Sequence, residues 1–281
     1  MFRQFSSVAL AALAILGGLT LTVAMSGCGN QPTPLKADNL PKETTIDLGN
    51  GVKLEMVKIP AGEYMMGSPN TDKDAPPSEK PQHRVRITRS FYLGRYPVTQ
   101  EQWKAVMGNN PSNVQDPKNP VDSVTWDDCQ TFLVKLNAKA GGQDGKFALP
   151  TEAQWEYACR AGSTTRYCFG DSESQLGDYA WYEVNSAGRA HPVGEKKPNA
   201  WGLYDMHGSV WEWCQDWYDD AYYARSPTDD PTGPISGLEA VVRGTGHNVA
   251  MGCRSALRSA NKPGQTNSGQ GLRVALIPAE K

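Results

Sequence analysis

Thiols and imidazoles are the groups in this 281-residue chain best suited to redox, metal or nucleophilic chemistry, and it carries six cysteines and four histidines. Their spacing serves none of the usual schemes. No Cys-x-x-Cys pair and no Cys/His ladder occurs, so a tetrahedral zinc site has no ligand set. His83, His191, His207 and His247 are scattered, and none stands at the close helical spacing that brings two imidazoles onto one metal. His83 and His207 read as structural hydrogen-bonders. A Gly-x-Ser-x-Gly elbow, a phosphate-binding loop and a dinucleotide fingerprint are all missing, which removes the common hydrolase and nucleotide readings. Lys and Arg number 28 against 30 Asp and Glu, a formal charge of -2, so there is no basic field for nucleic acid.

The sixth cysteine belongs to a different argument. Arg3, an apolar run from Val8 to Ala24 and the closing Met25-Ser26-Gly27-Cys28 resemble a bacterial lipoprotein signal peptide, whose last cysteine is acylated and becomes the first mature residue. The competing reading is a membrane-spanning anchor. The resemblance implies that residues 1–27 are removed, that Cys28 carries the lipid, and that residues 28–45 form a flexible tether. It implies the bacterial cell envelope, at the outer membrane or cell surface, because Gly29 replaces the Asp that retains such proteins at the inner membrane. Cys129, Cys159, Cys168, Cys214 and Cys253 remain, an odd number, so at least one thiol stays free.

The elements that would position these groups announce themselves unevenly. With 28 Gly and 20 Pro the chain is rich in turns, while 8 Trp and 11 Tyr argue for order rather than disorder. Residues 52–59 and 84–88 alternate as half-buried strands do. Thr99 with Gln102, Thr125 with Asp128 and Thr151 with Gln154 are capping boxes that predict three helices. In the second, Cys129, Phe132, Leu133 and Leu136 share one face and predict its buried side. Residues 46–281 read as a single domain.

Five stretches, in order, resemble the formylglycine-generating enzyme (sulfatase-modifying factor) domain family. They are Ile59-Pro-Ala-Gly-Glu-Tyr-Met-Met-Gly-Ser68, Glu79-Lys-Pro-Gln-His83, Pro97-Val-Thr-Gln-Glu-Gln-Trp103, Leu149-Pro-Thr-Glu-Ala-Gln-Trp-Glu-Tyr157 and Gly202-Leu-Tyr-Asp-Met-His-Gly-Ser-Val-Trp-Glu-Trp213, with Arg243-Gly244 and Gly271-Leu-Arg273 closing the pattern. The resemblance implies an α+β, C-type-lectin-like fold: a small twisted antiparallel sheet, a few helices and much irregular ordered loop. Trp155, Trp211 and Trp213 are expected to pack in its core. It also implies a disulfide between Cys159 and Cys253, a bridge worth on the order of 4 kcal/mol on the chain-entropy model.

Catalysis does not follow from the resemblance. The family's enzymes hold copper with two cysteines between the Arg-Gly and Cys-Arg signatures, where thiolates suit Cu(I). Here that stretch holds only Cys253, and His247 with Met251 supplies no thiolate, so copper is not expected. The family's iron-dependent branch needs a three-histidine set, which is absent. Calcium, which members bind through oxygen ligands, would fall on Asn185, although Gly194 stands where a carboxylate is expected. Ser209 likewise stands where the family more often has Asn.

What remains is the C-terminal segment. Arg243, Gly244, Cys253, Arg254, Ser255, Arg258 and Pro263 form an apparent frame. The departures from the family's Asn-rich pattern are Gly246, His247, Val249, Gly252, Leu257, Ser259, Ala260, Lys262, Gln265, Thr266, Ser268 and Gln270. This arrangement resembles the variable region of retroelement-diversified surface proteins on the same fold, but His247 and Leu272 stand where Trp and Phe are expected, which favours ordinary drift in a non-catalytic relative. Both readings predict a monomeric, envelope-anchored lipoprotein that binds a protein or glycan through these residues. The competing reading is a copper-dependent oxidoreductase converting a substrate cysteine to formylglycine.

Overall fold

Three threonines fix where the longer helices begin. The computed structural model describes residues 40–141, 145–246 and 250–279, which belong to one compact unit. Helix α1 (Gln100–Met107) opens on Thr99, whose hydroxyl accepts from the Gln102 amide while the Gln102 side chain accepts from the Thr99 amide. Thr125 and Asp128 open α2 (Trp126–Ala140), and Thr151 and Gln154 open α3 (Glu152–Arg160) in the same way. Each box satisfies two orphan amides at a helix start, worth about 1 kcal/mol. Gly108 and Gly141 end α1 and α2 in the left-handed conformation that glycine adopts without strain. A single further turn, α4 (Leu176–Tyr179), lies in the long loop that follows.

The strands form three sheets rather than one. In the largest, β1 (Glu43–Asp47), β2 (Lys53–Ile59), β5 (Phe91–Gly94), β11 (Ala275–Pro278) and β6 (Gly145–Ala148) lie side by side, all antiparallel. A two-stranded ladder pairs β3 (Gly62–Met66) with β4 (His83–Ile87). The third runs β10 (Gln270–Leu272), β7 (Trp211–Trp217), β8 (Ala240–Gly244) and β9 (Arg258–Asn261). Its β10 lies parallel to β7, which the antiparallel expectation missed; the chain reaches β10 by a long excursion, where a tight hairpin would have imposed the opposite direction.

Helix α2 buries the four expected side chains, and Phe132 stacks on Trp103 of α1 at 5.0 Å between ring centres. Helix α3 is buried nearly all round, against Val57, Ile59, Phe91 and Leu93 of the large sheet, Met66, Val85 and Ile87 of the ladder, and Cys214 and Val241 of the third sheet. It is the element on which all three sheets meet. Trp155 and Trp213 are fully buried as expected, while Trp211 keeps part of its ring in solvent.

The fold begins earlier than the expected tether allows. The Lys58 amide donates to the Lys42 carbonyl at 2.8 Å and the Tyr92 hydroxyl to the Pro41 carbonyl at 2.9 Å, and β1 starts at Glu43. These bonds make residues 40–45 part of the packed structure. The leader and Cys28 lie outside the described residues, and no helix among those described is long and apolar enough to cross a membrane.

Among the non-glycine residues with positive φ, an exposed alanine is the simplest to relieve. Ala187 is exposed with φ 52, a left-handed geometry that costs a non-glycine residue roughly 1–2 kcal/mol. No burial is lost there, so Ala187→Gly is expected to stabilise by about 0.5–1 kcal/mol after the entropy of the freer unfolded chain is counted. Thermal melting should show a rise of about 2 °C.

Candidate functional site

Four arginines fasten the C-terminal segment to the rest of the molecule. Arg243, on β8, is fully buried. Its guanidinium donates to the Glu156 carboxylate and to the carbonyls of Ala256, at 2.9 Å, and Leu257. Arg254 makes a two-pronged pair with Glu79 at 2.7 and 2.8 Å. Arg258, on β9, does the same with Glu152 at 2.7 Å on each prong, and donates to the carbonyls of Ser78 and Asp219 at 3.0 and 3.1 Å. Arg273 pairs with Glu212 at 2.8 Å and donates to the Gly94 and Tyr204 carbonyls. Burial alone would push the Glu156 carboxyl up, but Arg160 and Arg243 beside it outweigh that and hold it below the usual carboxylate range.

Glu152 and Glu156 stand one turn apart on α3, so a single helix supplies the counter-ions for Arg258 and Arg243. The sequence reading used these glutamates only as part of a family signature. The available signal was two carboxylates at i, i+4 spacing in a short helix whose remaining positions are mostly apolar.

Between these fixed points the expected ligand-contacting residues divide. Lys262, Gln265, Thr266 and Ser268 are exposed, and Ser259 and Ala260 on β9 are half-buried, as are Gly252 and Leu257. Two back-to-back turns shape the exposed loop: the Gln265 amide donates to the Lys262 carbonyl at 3.0 Å, and the Gln270 amide to the Asn267 carbonyl at 3.2 Å. In the second, Gly269 has φ 80, the left-handed value a type II turn requires at that position.

Two expected contact residues face inward. Gln270 is 1% exposed, and its Oε1 accepts from the side chains of Asn261 and Asn267 at 3.2 and 3.3 Å, which ties the loop to β9. Gly246 is buried beside the Trp211 indole, where a methyl group would sit in ordinary contact with the ring at 3.4 Å. Both position the surface rather than form it. His247 and Val249 lie outside the described residues.

The expected Cys159–Cys253 bridge is not formed. Cys159 carries a free thiol whose sulfur lies 3.9 Å from Nδ1 of His207. The same Nδ1 donates to the Cys253 carbonyl at 2.8 Å, while Nε2 accepts from the Cys168 amide at 3.1 Å. The imidazole thus touches both cysteines, at the sulfur of Cys159 and the backbone carbonyl of Cys253. The charges nearest the Cys253 thiol are Glu173 and Glu183, whereas those nearest Cys159 are Arg243, Arg160 and Glu156, so the sulfurs face different surroundings. Burial pushes both thiols up to about 12.

The stretch after Arg243 has no second cysteine to pair with Cys253 as a copper ligand. These residues do not fit a copper centre. Nor do Asn185 and position 194 fit a calcium cage. Asn185 spends its amide on a turn, accepting from the Tyr182 amide at 2.9 Å and donating to the Ala180 carbonyl at 3.0 Å. Gly194 offers no side chain and donates its own amide to Asp205 at 2.8 Å. Among the described residues no group of three or more His, Cys, Asp or Glu is placed to hold a metal.

Comparison with known proteins places the fold in a family. Residues 49–277 match the sulfatase-modifying factor enzyme 1-like domain. The formylglycine-generating enzyme of Streptomyces coelicolor is 36% identical over 189 residues, a match that covers 62% of this chain and 57% of that protein. This chain therefore spans little more than half of that relative. Among solved structures, Treponema denticola variable protein 1 superposes with a TM-score of 0.76 at 30% identity, over 85% of this chain and 100% of that one. PvdO from Pseudomonas aeruginosa follows with 0.74 at 28% identity, over 85% and 99%.

Proposed function

The chain belongs to the sulfatase-modifying factor enzyme 1-like family, and from that premise we propose that it is a non-catalytic, envelope-anchored member that binds its ligand through the C-terminal loop. The observation that carries the reading is a division of labour within one segment. Arg243, Arg254, Arg258 and Arg273 spend every charge on buried partners. Lys262, Gln265, Thr266 and Ser268 face solvent, and their side chains make no hydrogen bond within the described structure. Unspent donors and acceptors on a fixed backbone are what a recognition loop requires. The likeness to the Treponema variable protein supports the same reading, and the missing thiol pair weighs against formylglycine chemistry. Lipid on Cys28 would hold this surface at the cell envelope.

Two measurements test it. Purified protein incubated with copper, oxygen and a cysteine-containing sulfatase peptide is expected to give no aldehyde; aldehyde formation restores the oxidoreductase reading. Fluorescently labelled protein is expected to bind intact bacterial cells, and the triple variant Lys262→Ala/Gln265→Ala/Thr266→Ala to lose at least tenfold in affinity with its melting temperature unchanged. Equal binding by wild type and triple variant would show that the loop is not the contact surface.

A further inference from the structure

A second concave site lies away from the C-terminal loop. Tyr64 of β3, Tyr157 of α3 and Trp201 form its floor, with ring centres 5.1 Å apart for the two tyrosines and 4.9 Å for Tyr157 and Trp201. The cavity measures about 250 Å³ and is walled by Glu63, Gln82, Ser163 and Thr164. It adjoins a second cavity of about 230 Å³ across the shared residues Gln82, Arg160 and Thr164. The first is small for a ligand pocket and suits a single ring rather than an extended chain.

The backbone is adapted to this floor. A side chain at Gly62 would place its first carbon 2.2 Å from the Tyr157 hydroxyl, so only glycine on β3 lets that ring lie where it does. The Tyr64 hydroxyl is tied to the Ala153 carbonyl at 2.8 Å, which fixes the second ring.

Charge decides what the cleft can take. Arg160, which lines it, is matched by Glu156 at 2.8 Å, and the Glu63 carboxylate at its edge by Arg84 at 2.6 Å; in the adjoining cavity Arg254 is matched by Glu79 at 2.7 Å, and Arg166 by Asp72 and Asp74 at 2.7 and 2.8 Å. No unbalanced positive charge is left for a phosphate or carboxylate. A purely apolar ligand would strand the polar walls. The Trp201 indole N–H and the Thr164 hydroxyl make no hydrogen bond within the described structure. Gln82 donates its amide to the Gly67 carbonyl at 3.1 Å and leaves its oxygen to accept. Neutral donors and acceptors around aromatic ring faces match a molecule with axial C–H bonds on one face and hydroxyls at its rim.

We propose that the Tyr64–Tyr157–Trp201 cleft is a binding site for an uncharged pyranose ring, such as one residue of a surface polysaccharide. The proposal does not depend on the C-terminal loop being a recognition surface.

Titration of ¹⁵N-labelled full-length protein with methyl glycosides of glucose, galactose and N-acetylglucosamine tests it, with inorganic phosphate and methyl glucuronide as charged controls. The Trp201 indole N–H signal, assigned by its loss in Trp201→Phe, is expected to shift saturably with at least one neutral glycoside and not with the controls. Thr164→Val removes an exposed hydroxyl without disturbing the core, and should raise that Kd about tenfold. Lys262→Ala/Gln265→Ala should leave it unchanged, which separates this site from the loop. The proposal is overturned if no neutral glycoside moves the Trp201 signal, if a charged control moves it more, or if Thr164→Val binds as tightly as wild type.

Discussion

Glu152→Ala is expected to destabilise the protein by about 3–5 kcal/mol, because it strands buried charge rather than because it deletes a favourable contact. The Glu152 carboxylate is 2% exposed; it takes both prongs of Arg258, lies 3.8 Å from the Arg243 guanidinium, and accepts from the Tyr223 hydroxyl at 3.3 Å. Removing it leaves Arg258 buried between the rings of Tyr218 and Tyr223 with only carbonyl partners. In urea the unfolding midpoint should fall accordingly, and the melting temperature by roughly 10 °C. The explanation makes a second demand. Glu152→Leu/Arg258→Met removes both charges and should recover most of the loss, since a buried pair replaced by apolar side chains of similar volume is often neutral. A double variant as unstable as Glu152→Ala would show that α3 needs the carboxylate for another reason.

Asp216 should make the protein lose stability as pH rises from about 4 to 8. This carboxyl on β7 is 3% exposed, and burial, with the Glu152 charge beside it, pushes its pKa up to about 8. In the unfolded chain an aspartate titrates near 3.9. Below that pH both states are protonated and the group contributes no difference. Between the two values the unfolded chain has released a proton that the folded protein still holds, so stability falls with rising pH by ~1.4 kcal/mol per unit. Above about 8 the loss is complete, on the order of several kcal/mol. Asp216→Asn keeps an oxygen to accept the Glu152 amide, a bond of 2.9 Å in the native protein, and removes the titration. The variant should match wild type near pH 4 and exceed it increasingly toward pH 8 in parallel thermal melts. A constant difference across that range would mean that Asp216 titrates normally.

How far such features could be read from sequence depended on whether they were local. The capping boxes at Thr99, Thr125 and Thr151 were legible because each is a contact between residues three apart. The buried face of α2 was legible for the same reason. Gln270 and Gly246 were misjudged as surface residues because a departure from a family pattern carries no direction: only the third sheet, with β10 laid against β7, turns Gln270 inward. The Cys159–Cys253 expectation failed because no spacing rule sees that the two sulfurs face different surroundings, with His207, from a third segment, against the Cys159 sulfur. The aromatic cleft was invisible because its floor is drawn from β3, α3 and a loop, which only the packing of α3 brings together.

The outer strands of the two larger sheets have a consequence for this protein at high local concentration. β1, β6, β9 and β10 run for only five, four, four and three residues. β1 begins at Glu43 and ends at Asp47, and β9 passes directly into Lys262 and Pro263, whose ring nitrogen has no hydrogen to donate. Each offers a neighbouring copy too short a row of unpaired amides to extend into a shared sheet, and β1 and β9 also have charge or proline at their ends. Dense arrays of this protein should therefore resist fibril-like aggregation even though most of its surface is loop.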